Sequence, residues 1–273
     1  MDPIAKTAWY CCGVRAADAR LRRPICGDHL AERFMDAEGR AVFARFESFS
    51  VPNSGNAARH RIVDDLLRQQ LTAKPDMSIV LLGAGFDTRA YRLTGGRWFE
   101  LDQAAIVERK EALLPASGAP NPLVRIAIDF AQDKLADKLQ ACGSCVAPIV
   151  VMEGVSMYLN SDELRATLDT LHSSLPGHTL VCDLMKRAFT VRTSPRFRQR
   201  LGELGARFAP PLDEPADFVT ASGYQLLSHH SIFGRAVAHF RLPGIGWLFN
   251  LLQRRVRDGY QIYVFKALSA PGR

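Results

Sequence analysis

A glycine turn set between two apolar runs constrains this chain more than any other feature. Met77 to Asp102 opens on Ile79, Val80, Leu81 and Leu82, breaks at Gly83-Ala84-Gly85, and resumes at Trp98-Phe99 before two acids, Glu100 and Asp102. A short aliphatic run bounded by glycines reads as a strand buried on both faces, the kind found in parallel sheets. The glycines let the chain turn tightly and leave its backbone bare to a ligand. About seventeen residues after Gly85, an acid at the end of the second strand is placed to accept hydrogen bonds from a ribose diol. Asp102 is the stronger candidate, because Glu100, two residues back, faces the same side but deeper in the strand. The pattern announces a nucleoside-cofactor site at the carboxyl ends of two parallel strands.

The residues after the turn bear on which cofactor. A dinucleotide site wants a third glycine for close helix–strand packing, and Phe86, Asp87 and Thr88 stand here instead. A pyrophosphate favours bare helix amides over a carboxylate, so Asp87 suits a ligand with an ammonium group. That points to S-adenosyl-L-methionine, with S-adenosyl-L-homocysteine as product. A plain strand-turn of any α/β protein is the alternative for the tripeptide alone, and an NAD-dependent enzyme is a more distant one.

The rest of the chain supplies further strands and their helices. Leu123 to Ile128 reads as a strand leading to Asp129-Phe130, where Asp129 can accept from an adenine amine while Phe130 packs on the ring. Alternatively, Asp129 caps a helix over 131–141. Ala147 to Met152 is a strand with Glu153 and Gly154 at its carboxyl edge, where open α/β sheets bind ligands. Ser161 caps the next helix, Thr179 to Asp183 is a strand, and Gly259 to Ala267 alternates as a final antiparallel strand. Phe218-Val219, Gly223-Tyr224 and Leu226-Leu227 read as a small element returning to the sheet, and Gly244 to Leu252 as a short helix. Upstream, residues 3–35 and 40–73 are helical, with a break near Pro24. Arg59 falls at the start of the helix ending RIVDDLLRQQL, where a guanidinium can hold a carboxylate through two parallel bonds.

One domain of 273 residues is therefore expected, of α/β class. It is a doubly wound, Rossmann-like sheet, mostly parallel with an antiparallel last strand, with a helical N-terminal cap and an inserted cap. The segments are 1–75, a helical cap; 76–185, the cofactor-binding core; 186–218, a substrate lid; and 219–273, completion of the sheet. The lid is basic, with Phe189, Phe197 and Phe208 interleaved among Arg192, Arg196, Arg198 and Arg200. Long insertions of this kind carry function.

The chain carries a formal net charge of +7, spread over several clusters without a recognition helix, stacking platform or zinc module to read nucleic acid. An acidic small substrate or carrier protein is the partner this charge suits; the other reading is solvated basic faces. No run is long enough to span a membrane, and the N-terminus lacks a secretory pattern, so a cytoplasmic protein is expected. Cys142-Gly-Ser-Cys145 has redox or metal spacing, but no second pair stands at zinc-finger distance. No metal is expected.

LLGAGFDTRAYRL, over residues 81–93, resembles the signature of the leucine carboxyl methyltransferase family, which includes polyketide-type O-methyltransferases. Arg59-x-x-x-x-Asp64, FELDQ at 99–103 and EGVSMYL at 153–159 match in the same order. The likeness covers roughly Lys6 to Met185 and returns at the final GYQIYVF. It implies cofactor roles for Arg59, Gly83, Ala84, Gly85, Asp87, Asp102, Gln103, Glu153 and Gly154, beside Asp129 and Phe130 from the residue pattern above. Glu153 would take the cofactor's ammonium, and Met157 and Tyr158 would face the methyl donor and the acceptor. Arg15, in the N-terminal region that the family packs over its site, is a further candidate. The departures are His60, where many relatives carry Thr, and Arg61, a competing guanidinium.

The chemistry then expected is O-methylation. A carboxylate acceptor is ionised at neutral pH and needs no general base, whereas a phenol does. His229 and His230 are the nearest base candidates by sequence, read as structural. Arg192, Arg198 and Phe189 are the candidates for holding an acidic substrate. Carboxyl methylation of a small or carrier-bound acid in natural-product metabolism leads; a phenol methyltransferase or a non-catalytic scaffold with the same cofactor site are the alternatives.

Overall fold

A computed structural model describes residues 3–239, apart from 144, 146 and 192, and residues 257–268. Seven strands form one sheet: β1 (Ser78–Leu82), β2 (Arg97–Asp102), β3 (Leu123–Ala127), β4 (Ile149–Met152), β5 (Thr179–Met185), β6 (Tyr224–Ser231) and β7 (Tyr260–Ala267). Their order is β3-β2-β1-β4-β5-β7-β6. The first five run parallel, and β7 is antiparallel to both β5 and β6. The order reverses between β1 and β4, which places a ligand crevice beyond their carboxyl ends.

The continuous apolar run of β1 is explained by burial on both faces. Ile79 and Leu81 join Trp98, Val151 and the N-terminal helices in one core layer, while Val80 and Leu82 join Leu101, Val150 and Leu168 in the other. Eleven α-helices are described: α1 (Pro3–Ala19), α2 (Ala37–Ala44), α3 (Ser50–Ala73), α4 (Arg89–Arg92), α5 (Ala104–Leu113), α6 (Leu135–Leu139), α7 (Ser161–Ser174), α8 (Arg187–Thr190), α9 (Pro195–Glu203), α10 (Pro215–Ala221) and α11 (Ile232–His239). None among the described residues is long and apolar enough to cross a membrane.

Several local expectations need correction. Helix α3 begins at Ser50, so Arg59 lies well inside it; Pro52 is tolerated because the first turn needs no N–H donor. Asn160, not Ser161, caps α7, in a reciprocal capping box with Glu163. Strand β4 starts at Ile149, after Ala147 adopts a positive φ of 45°. The returning element is the eight-residue strand β6, with an irregularity at Leu226/Ser228, and Phe218-Val219 lie outside it in α10; β6 is half exposed at the sheet edge, so its apolar signal is weak. The expected helix over 244–252 lies outside the described residues.

The segment 186–218 contributes α8 and α9 and seats itself by aromatic packing. Phe197 packs edge-on against Tyr10, Phe46 and Phe49, with centroids 5.4–5.8 Å away. Phe208 lies 5.9 Å from Tyr158, and Ala209 N–H donates to the Met157 carbonyl at 2.9 Å.

Candidate cofactor and active site

A cavity of about 540 Å³ opens at the carboxyl ends of β1, β2 and β4, within the size range of small-molecule sites. Its floor is Gly83 to Asp87, its sides are Asp102-Gln103 and Met152 to Val155, and Thr7, Ala8, Cys11 and Arg15 of α1 close over it. Gly83 N–H and Ala84 N–H both donate to the Leu101 carbonyl, tying the turn to the end of β2. Gly83 and Gly85 have φ of 65° and 49°, the left-handed region that L side chains avoid. A Cβ on Gly83 would stand 2.5 Å from Val155 Cγ2.

Asp102 projects from this rim. Its Oδ2 accepts Gly85 N–H at 2.6 Å and its Oδ1 accepts Gln103 N–H at 2.7 Å. Burial pushes its carboxyl above the ordinary value, against the pull of those two amides. Glu100 does not compete for a ligand, because Lys110 at 2.7 Å and Arg125 at 3.0 Å hold it in the core.

Beneath the turn lies a dense ion-pair network. Arg89 donates to Asp64 Oδ1 at 2.7 Å, Asp87 Oδ2 at 2.5 Å, Glu153 Oε2 at 2.7 Å and the His60 carbonyl at 3.0 Å. Arg59 donates to Glu153 Oε1 at 3.2 Å, Asp183 Oδ2 at 3.1 Å and Tyr260 Oη at 2.7 Å. Arg15 bonds Asp28 at 3.0 Å and the Phe86 carbonyl at 2.6 Å, and Arg92 bonds Asp64 at 2.7 Å. Burial would raise the carboxyls of Glu153, Asp64 and Asp28, but the neighbouring guanidiniums and His60 overcome it and hold all three below the usual range. Burial and Arg89 lower the His60 pKa, so its imidazole is neutral at pH 7. Its Nδ1 and Nε2 lie 2.8 Å from nitrogens of Arg89 and Arg92, which can only donate, so the two guanidiniums compete for the one acceptor nitrogen of the neutral ring. His60, Asp87 and Glu153 cluster closely enough to suggest a cation site; Arg89 already supplies that positive charge to all three. Asp28, Asp64, Asp87, Glu153 and Asp183 here meet five guanidiniums, those of Arg15, Arg59, Arg68, Arg89 and Arg92, so the network beside the cavity is balanced in charge.

The structure thus brings together Arg15, Arg59, Gly83, Ala84, Gly85, Asp87, Asp102, Gln103, Phe130, Glu153, Gly154 and Tyr158 around one cavity. Arg61 turns away to Asp65 at 2.8 Å and does not compete with Arg59. Asp129 is not in the cavity lining; its carboxylate accepts Ala131 N–H at 2.9 Å, closing a turn rather than capping a helix. Met157 lines a smaller cleft under the lid. Phe189 packs on Tyr260 and Phe233, and Arg198 is exposed on α9, so neither reaches the cavity. Arg192 lies outside the described residues. His229 and His230 sit on edge strand β6, away from the cavity. All six cysteines are free thiols. Sequence reasoning gave no site role to Asp28, Asp183 or Tyr260, although Tyr260 falls within the GYQIYVF that carries the resemblance.

Residues 8–172 match the family model for leucine carboxyl methyltransferase. The chain belongs to that family. Membership makes it an S-adenosyl-L-methionine-dependent methyltransferase. A Frankia alni protein, provisionally named for that same activity, is 30% identical over 240 residues, covering 82% of this chain and 84% of its own. One from Streptomyces coelicolor with a similar provisional name is 28% identical over 270 residues, covering 88% and 92%. Among solved structures, a duf574 family protein from Streptomyces avermitilis superposes with a TM-score of 0.58 at 9% identity, covering 85% of this chain and 91% of that one. The magnesium protoporphyrin IX methyltransferase of Synechocystis, with bound S-adenosylhomocysteine, gives 0.51 at 14% identity, covering 88% and 100%. At such identities the structures show a shared methyltransferase fold.

Proposed function

We propose that this member of the leucine carboxyl methyltransferase family methylates a carboxylate of a small or carrier-bound acid, in natural-product metabolism. The observation that supports a carboxylate is the lack of a base at the donor end. On the side of the cavity that α1 covers, Asp87, Glu153 and His60 are all bonded to guanidiniums, and Thr7, Cys11 and Tyr158 stand beside them. Burial drives the Tyr158 phenol up, so it stays protonated. An acceptor that arrives ionised needs nothing from these groups.

The residues present fit the cofactor. The positive-φ glycines leave bare backbone where a Cβ would collide, Asp102 keeps acceptor lone pairs for a ribose diol, and the cavity edge of Arg59 suits the methionyl carboxylate. Glu153, on the cavity edge, is the carboxylate placed to take the ammonium group. S-adenosylmethionine supplies, when bound, a methyl group on a sulfonium that is already activated for attack. The protein's part is to place the acceptor in line and exclude water. The lid segment, resting on Tyr158 through Phe208, serves both ends.

The test is a substrate panel of carboxylic acids and phenols with labelled cofactor. Base-labile methyl esters are expected; base-stable methyl ethers from phenols alone would overturn the carboxylate reading.

A further inference from the structure

We propose that Tyr260, from the last strand of the sheet, is the positioning residue that aims Arg59 at its ligand. This rests on the reading that Arg59 holds the cofactor's carboxylate. A guanidinium between two carboxylates has a competing choice, since it can swing to fork one of them through two parallel bonds. The surroundings of Arg59 close that choice off. Asp183 Oδ1 is occupied by Gly154 N–H at 2.7 Å. Asp183 Oδ2 is shared between the Tyr260 hydroxyl, which donates to it, and Arg59 Nη1 at 3.1 Å. The same Tyr260 oxygen accepts from Arg59 Nη1 at 2.7 Å. With Nε on Glu153, the inner edge of the guanidinium is fixed. Among the described residues Nη2 bonds the Cys11 thiol alone, at 3.8 Å, and Arg59 lines the cavity together with Cys11.

Direction in this chain is set by the phenol. Burial keeps it protonated, helped by Asp183 against Arg59, so it donates on one side and accepts on the other. The ring is held in turn by the lid, because Phe189 of α8 packs 5.6 Å from it. Tyr260 and Phe189 both lie beyond the 8–172 span that the family model matches. The chain's C-terminal part therefore completes a site whose other parts come from within the matched span.

The experiment is calorimetry on the full chain with two ligands, S-adenosylhomocysteine and 5′-methylthioadenosine, which lacks the amino acid end. For Y260F, affinity for S-adenosylhomocysteine is expected to fall about tenfold, the loss of one hydrogen bond to a charged group. Methylthioadenosine should bind as in wild type, and the KM for S-adenosylmethionine should rise with kcat unchanged. Equal weakening of both ligands, or of neither, would overturn the role of Tyr260. F189A, at a half-buried position, is expected to shift the same ratio in the same direction, and it answers the question if Y260F does not fold. Arg59→Gln separates the two readings. If it leaves the ratio of affinities unchanged, the Arg59 assignment fails; if it changes the ratio while Y260F and F189A do not, only the positioning role fails.

Discussion

Asp102 Oδ2 accepts the Gly85 N–H at 2.6 Å, joining the end of β2 to the turn that follows β1. Parallel pairing makes this possible, since Leu82 and Leu101 are register partners and both chains leave the sheet at the same rim. The carboxylate that would grip the ribose is thus fixed by backbone before any ligand arrives. Asp102→Ala is expected to weaken S-adenosylhomocysteine by about a hundredfold, two charged hydrogen bonds being lost. Wild-type affinity in calorimetry would remove Asp102 from the site.

Binding and folding should part company as pH falls. The Asp102 carboxyl is raised, so it protonates first, above the ordinary range near pH 4. Asp28, Asp64 and Glu153 are depressed. Their contribution to stability is complete above about pH 4.5 and is lost as pH falls below it toward their folded values. Cofactor affinity is therefore expected to decline at a pH where urea denaturation still reports full stability. A simultaneous loss of both would contradict these shifts.

Arg89 carries the network under the turn. Arg89→Met leaves Asp64, Asp87 and Glu153 without their shared partner, and breaking a buried ion pair costs about 3–5 kcal/mol. Denaturant unfolding at pH 7 should show that loss, and it should shrink as pH falls and the stranded acids protonate. A pH-independent loss would mean that packing, not charge, is what Arg89 provides.

Two glycines make a controlled pair. Gly83 and Gly143 have nearly the same φ, 65° and 61°, but a Cβ on Gly143 meets nothing within 4 Å while one on Gly83 lies 2.5 Å from Val155. Gly143→Ala is expected to cost about 1–3 kcal/mol from backbone strain alone, its ψ of −155° adding to the positive φ. Gly83→Ala should cost measurably more and weaken the cofactor as well. Equal melting temperatures would show that Val155 moves aside freely.

Phe197 anchors the segment 186–218 to Tyr10, Phe46 and Phe49. Phe197→Ala removes a buried aromatic whose loss is worth about 3–5 kcal/mol in a core. Because the seat joins one local segment to the N-terminal helices, faster amide exchange over 187–204 and a lower kcat/KM are expected. Unaltered exchange there would mean that other contacts hold the segment.

The sequence by itself determined the strands around the glycine turn, the acid at the end of β2 and the family. Each is local: an apolar run, a glycine that tolerates positive φ, a carboxylate a fixed number of residues later. It also placed Arg59, through its motif. The partners of Arg59 were decided only by tertiary structure. Asp183 and Tyr260 stand 124 and 201 residues from it along the chain and reach it because β5 and β7 pair antiparallel beside β4. The same holds for Phe189 and Arg198, whose composition suggested a substrate grip. Helix α9 turns Phe197 inward and leaves Arg198 outside, a choice of helical face that packing makes and residue type alone does not. Charge partners and facing directions are long-range properties, set when the apolar layers close on the two sides of the sheet.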